Sequence, residues 1–182
     1  RWFDISPSGD RIFFLANKED HAEWQLYAYD VKSNTTSRLT TRPGTYEDPR
    51  LSKNGSYIVT GFSNFAQPTE LVRISTNIPS GTASSMGSQS ERSPEVQLTH
   101  SIPEGFRKID WAIPEIVHFK SRDGKQIPAM IYKPERFAPD KKYPVVVFVH
   151  GAGYLQNVFK GWSYYYRESM FHHRLTQKGY VV

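Results

Sequence analysis

Ser6-Pro7-Ser8-Gly9-Asp10-Arg11-Ile12-Phe13-Phe14-Leu15 returns 46 positions later, Gly9 to Gly55, as Ser52-Lys53-Asn54-Gly55-Ser56-Tyr57-Ile58-Val59-Thr60-Gly61. Each copy joins a turn to a strand. Pro7 presets φ for the first corner, and Gly9 can take the left-handed conformation that closes a tight hairpin. Asn54-Gly55 is a hairpin signal in its own right. Further strand candidates follow at matching places: Gln25–Asp30 and Glu70–Ser75, then Ser37-Arg38-Leu39-Thr40 and Val96-Gln97-Leu98-Thr99. With an entering strand before each turn, every unit holds four short strands. Such a unit, repeated every 40–50 residues or so, is the sequence pattern of propeller blades. With two copies visible, an unrelated antiparallel meander stays open.

The second unit carries an expected flexible insertion, residues 76–94, rich in Ser, Gly and Thr and too poor in large apolar residues to bury a core. After Thr99-His100 the repeat does not resume, and Ile102-Pro103-Glu104-Gly105 reads as a junction. From Glu115 the spacing predicts a β-hairpin around Asp123-Gly124, with Pro128 placing its return strand at an edge or bulge. Pro144-Val145-Val146-Val147-Phe148-Val149 is a continuous apolar run, expected as a strand buried on both faces. A helix is expected over 164–178, with Phe171 and Leu175 on one face and Lys178-Gly179 at its end. Tyr180-Val181-Val182 then starts another strand. The expected fold is therefore the C-terminal blades of a β-propeller over 1–104, followed by the N-terminal part of an α/β-hydrolase domain over 105–182, a mixed β and α/β architecture.

Composition narrows the function classes. The 182 residues include no cysteine, which excludes disulfides and thiolate metal sites. The net charge of +5 is scattered without a basic run, so no nucleic-acid partner is expected. No apolar run is long enough to span a bilayer. Both ends read as cut, within a longer protein. The sequons Asn34-Thr35-Thr36 and Asn54-Gly55-Ser56 fall in expected turns.

The chemistry-bearing stretch is His150-Gly151-Ala152-Gly153-Tyr154, at the end of the apolar run. Open α/β sheets place ligands at such strand ends. Small residues there let backbone N–H groups face a developing oxyanion. A tight turn whose glycines merely permit close packing is the plainer alternative. His150 has no carboxylate or second His at ligand spacing, so no metal site and no cofactor are expected. His172-His173 carries no catalytic expectation. Gly161-Trp162-Ser163-Tyr164-Tyr165 lacks the final glycine of a nucleophile elbow and does not follow a strand, so Ser163 is not the nucleophile. No catalytic triad is expected within this chain.

These residues resemble the prolyl oligopeptidase family of serine peptidases, most closely its bacterial dipeptidyl-peptidase-IV-like members. The resemblance rests on Ser6 to Ile12, Pro68-Thr69-Glu70-Leu71, the Lys120–Lys133 hairpin, Tyr143–Tyr154, and most specifically 161–167 and 171–175. It implies a propeller capping a hydrolase and a peptide substrate cleaved after Pro or Ala near its N-terminus. In several relatives a tyrosine side chain helps hold the oxyanion. His150 stands at the matching position, with Tyr154 a displaced alternative, which leaves the backbone of Gly151 and Ala152 as the expected donors. An acyl-peptide hydrolase or esterase on the same scaffold, or a non-catalytic propeller binding protein, are the alternatives. A homodimer is left open. A periplasmic or secreted setting is slightly favoured over a cytoplasmic one.

Overall fold

The two Ser-x-x-Gly turns fold alike. In each, the glycine N–H donates to the serine carbonyl at 2.8 Å, and the serine N–H donates to the carbonyl of Arg11 or Tyr57 at 2.9 Å. Ser6 Oγ and Ser52 Oγ accept from those same residues' N–H groups at 3.0 and 3.1 Å. Gly9 and Gly55 sit at φ +72° and +73°, the left-handed region that an L side chain resists. The computed structural model describes residues 2–77, 95–151, 153, 155–165 and 168–182.

From these turns grow two four-stranded antiparallel sheets in plain sequential order. The first holds β1 (Phe3–Ile5), β2 (Arg11–Ala16), β3 (Gln25–Asp30) and β4 (Thr35–Arg38); the second holds β5 (Thr45–Leu51), β6 (Tyr57–Asn64), β7 (Gln67–Ser75) and β8 (Val96–Gln97). Their shared core is Phe13, Leu26, Ala28 and Leu39 with Tyr46, Ile58, Phe62, Val72 and Ile74. Arg11 ties the sheets by donating to the Thr76 carbonyl at 2.9 Å. Thr76 itself is buried and donates its hydroxyl to the Gly55 carbonyl at 2.6 Å, so the expected insertion does not begin there. The rest of it, from residue 78, lies outside the described residues.

A second repeated device closes each sheet. Gln25 and Glu70 hold equivalent places on the third strand, and Thr40 and Thr99 follow the fourth. Thr40 Oγ1 donates to Gln25 Oε1 and accepts from Leu26 N; Thr99 Oγ1 donates to the Glu70 carboxylate and accepts from Leu71 N. The difference lies in what comes next. Gln25 Nε2 donates to the carbonyls of Arg42 and Gly44 as the chain crosses to the next sheet. Glu70 Oε1 instead accepts from the N–H groups of Ser101 (2.7 Å) and Ile102 (3.0 Å) as the chain leaves the repeat. Carbonyls ahead require an amide donor, and N–H groups ahead suit a carboxylate. Burial pushes the Glu70 carboxyl up, but the Thr99 hydroxyl and the Ile102 and Ser101 N–H groups outweigh it and hold it below its ordinary value.

Past Ile102 come one helical turn, α1 (Glu104–Arg107), then the hairpin β9 (Glu115–Lys120) and β10 (Gln126–Ile131), and finally α2 (Ser169–Gln177). Gly124 at φ +82° closes the hairpin, as its Asp-Gly turn predicts. Tyr132 exchanges backbone hydrogen bonds with Val182, and Val181 pairs in parallel with Val145. The chain is thus mostly antiparallel strands in open sheets, and no full α/β-hydrolase sheet forms among the described residues.

Two expectations are corrected. The 144–149 run forms no continuous strand, only a bridge from Val145 to Val181, and is not buried on both faces: Val145, Val147 and Val149 are 63, 79 and 79% exposed, while Val146 and Phe148 are half-buried, Phe148 facing His172 of α2. The helix starts five residues later than expected, and its buried side chains are His172, His173 and Thr176, with Phe171 outward.

A methyl group added at Gly55 would lie 2.6 Å from Pro7 Cδ, whereas at Gly9 it would meet open space. Both Gly→Ala changes should cost about 1 kcal/mol through φ. Gly55→Ala should lose at least ~1 kcal/mol more against the rigid proline ring, read as urea midpoints of the two variants. Glu70→Gln should cost roughly 2 kcal/mol, since charge-assisted bonds to buried N–H groups weaken. Because the folded pKa is depressed, wild type holds this advantage above the ordinary value of 4.5 and loses it as pH falls through the lower folded value. Melts over an acid series should therefore converge for wild type and variant.

Candidate functional site

The expected oxyanion loop follows the Val145–Val149 run. His150, Gly151 and Gly153 are exposed, while Ala152 and Tyr154 lie outside the described residues. His150 Nδ1 approaches the Gly151 carbonyl oxygen at 2.6 Å, so this ring is turned onto its own loop. Around both glycines a Cβ would meet nothing within 4 Å. The loop therefore leaves room beside its backbone, as close approach of a ligand requires.

His150 borders an open groove of about 530 Å³ whose walls come from β10, the Val145–Val149 run, Asn157–Phe159 and α2. Most of that wall is apolar. Among its polar groups, Asn157 Nδ2 donates to the buried Glu168 carboxylate, while Asn157 Oδ1 is buried with no hydrogen-bond partner among the described residues. Burial, then the Glu168 charge, pushes the Tyr132 phenol up to about 12, which keeps it neutral near pH 7 and unfit as a base. On the other side of Phe159 a second cleft, of about 690 Å³, opens toward the sheets. Trp2, Trp24 and Tyr46 line it together with Glu47, Asp48 and Arg50, and Asp48 stands at φ +47° where the β5–β6 register shifts. The arrangement offers binding surfaces on both sides of the segment that follows the loop.

Ser163 takes no nucleophile's place: its Oγ accepts from Tyr165 N at 3.2 Å, and its N–H donates to Ser169 Oγ at 3.1 Å. Among the described residues no group of three His, Asp or Glu is assembled that could hold a metal ion. No helix among them is long and apolar enough to cross a membrane.

The adjacent histidines do structural work that composition alone did not flag. On neighbouring faces of α2, His172 meets the rings of Tyr132 and Phe148, and His173 meets Trp111 at 4.8 Å. His173 Nδ1 accepts from Ala112 N at 3.2 Å, so the neutral ring carries its proton on Nε2. Trp111 in turn packs on Phe106 and on the buried Trp162. This aromatic cluster joins α1, the junction and α2. Both are buried because partners arrive on each ring from separate segments, Tyr132 and Phe148 on one and Trp111 on the other, and that is a tertiary fact.

Residues 2–69 match the family described as the dipeptidyl peptidase IV (DPP IV) N-terminal region. Over 185 residues the chain is 29% identical to dipeptidyl peptidase 8 of Mus musculus, covering 94% of this chain and 18% of that protein. It is 24% identical over 180 residues to dipeptidyl-peptidase 4 of Giardia intestinalis, covering 95% and 23%. The crystal structure of Porphyromonas gingivalis dipeptidyl peptidase 4 matches with a TM-score of 0.77 at 23% identity, over 100% of this chain and 23% of that one. The chain thus spans about a fifth of the length of the curated relatives it matches. The two four-stranded sheets fit the β-propeller of that N-terminal region.

Burial holds the His173 pKa below its ordinary 6.5, against the pull of Asp110. The unfolded chain therefore binds the proton first, and stability should fall as pH drops below 6.5 until the lower folded pKa is passed. His173→Gln should remove that step from a plot of urea midpoint against pH between 7.5 and 5. An unchanged profile in the variant would mean that His173 does not titrate with folding.

Proposed function

We infer, from the place of this chain in a dipeptidyl-peptidase-IV-like family, that the full-length protein is a serine-type peptidase cleaving peptides after Pro or Ala. The observation that carries this reading is the 29% identity spread over 94% of the chain, junction and glycine loop included. Residues 1–104 are read as the last propeller blades and 105–182 as the start of the catalytic α/β-hydrolase domain. Supporting the second unit are the backbone pairs made by 180–182, antiparallel with Tyr132 and parallel with Val145, with α2 on the connection from Val145 to Val181.

In this reading the backbone N–H groups of Gly151 and Ala152 receive the oxyanion, each such donor being worth roughly 100-fold or more in rate. His150, the side chain at the position where relatives carry a tyrosine, is a weaker candidate because its ring is engaged with the Gly151 carbonyl. The nucleophile, its base and its acid come from outside these 182 residues, and the 182-residue chain by itself is inactive.

A fluorophosphonate probe should label the full-length protein on a serine outside this chain, located by peptide mapping. Labelling at Ser163 would overturn the assignment of that residue. Complete absence of labelling would favour a non-catalytic binding protein.

A further inference from the structure

The segment after the glycine loop does not stay with the hairpin and α2; it crosses back to both four-stranded sheets. Gln156 Nε2 donates to the His21 carbonyl at 2.8 Å, and Lys160 N donates to the Ala22 carbonyl at 2.7 Å. Trp162 N donates to Ser63 Oγ at 3.1 Å, and Thr69 N donates to the Tyr164 hydroxyl at 2.7 Å. Four anchor points on two sheets make this stretch a strap.

One side chain in the strap carries charge into that contact. Lys160 Nζ lies 2.7 Å from Asp20 Oδ2 and 2.9 Å from Glu23 Oε1, with all three groups partly or largely buried. Asp20 is itself built in: its other oxygen accepts from Ala22 N at 2.8 Å and so shapes the turn that receives the Lys160 backbone. Glu23 is steadied by Arg38 at 3.7 Å and by Gln25 Nε2 at 3.3 Å. An exposed single ion pair contributes little, but a three-group cluster with shared hydrogen bonds and reduced solvent contact is held more firmly.

We propose that Lys160 is a positioning residue: its double ion pair to Asp20 and Glu23 clamps the strap onto the first sheet and thereby fixes His150, Gly151 and Gly153 ahead of it. This rests on the peptidase reading for its consequence in catalysis, not for the clamp itself. Among the described residues there is open space beside Gly151 and Gly153, so their position depends on what holds the chain beyond them. Loss of the clamp leaves the fold intact, since the backbone bonds of the strap and the aromatic cluster remain, but lets the loop wander. Oxyanion donors displaced by a fraction of an ångström lose much of their effect on the transition state while binding of the ground state changes little.

The test uses the full-length protein with Lys160→Met, Lys160→Arg and, from the other side of the contact, Asp20→Asn. Hydrogen exchange should accelerate in 150–158 for Lys160→Met and Asp20→Asn and stay unchanged in β2 and β3. On a chromogenic dipeptide amide, kcat should fall on the order of tenfold with KM within about twofold, and Lys160→Arg should retain most of both. Exchange in 150–158 that is the same in wild type and Lys160→Met overturns the clamp, as does a kcat unaffected by that change. A wild-type protein inert toward every dipeptide amide, with exchange in 150–158 still faster in the variants, would sink the peptidase reading and leave the clamp standing.

Discussion

The buried carboxylate of Glu70 is the group on which the layout downstream of the second sheet depends. It is 1% exposed, accepts from the Thr99 hydroxyl and from two successive backbone N–H groups, and thereby sets the direction in which the chain leaves the repeat. A charge so far from water is tolerated because its lone pairs are occupied by donors, with Arg107 at 4.0 Å adding a weak charge contact. Were Ser101 and Ile102 free to swing, α1, Trp111 and the aromatic cluster on α2 would have no fixed starting point.

The two exits from the sheets show how one device serves two destinations. Gln25 and Glu70 differ by one atom type at the side-chain tip, and that difference follows from whether the departing backbone presents carbonyls or N–H groups. The strap then brings the chain back, so residues 155–164 and the exit at 101–102 form two crossings between the same parts. A loop placed between such crossings inherits their geometry, which is how sheets remote in sequence come to bear on His150–Gly153.

Much of the fold was legible because turns and strands are local matters. The Ser-x-x-Gly repeat marked both hairpins, and the third strand of the first sheet coincides with Gln25–Asp30, since φ restriction and β-branched or aromatic content act over a few residues. Burial was less legible. The 144–149 run reads as a two-faced buried strand, yet one face is bare; an apolar run shows what could be covered, not what covers it. On α2 the expected inward residue Phe171 faces out while His172 and His173 face in, because the helix lies between two aromatic surfaces that no period of 3.6 reveals. Of the expected site, His150, Gly151 and Gly153 are exposed while Ala152 and Tyr154 lie outside the described residues, and Lys160 was passed over because its carboxylate partners lie 137 and 140 positions away.

By itself the sequence determined the repeat, the turn chemistry and the hairpin. Each of these is decided by the conformational limits of residues adjacent in the chain. Only the tertiary structure decided that Glu70 would be a buried exit clamp, that His173 would be a neutral acceptor for Ala112, and that Lys160 would pin the strap to Asp20 and Glu23. Those roles depend on which groups from distant segments arrive within about 3 Å, and on the water they displace, and no local propensity encodes either.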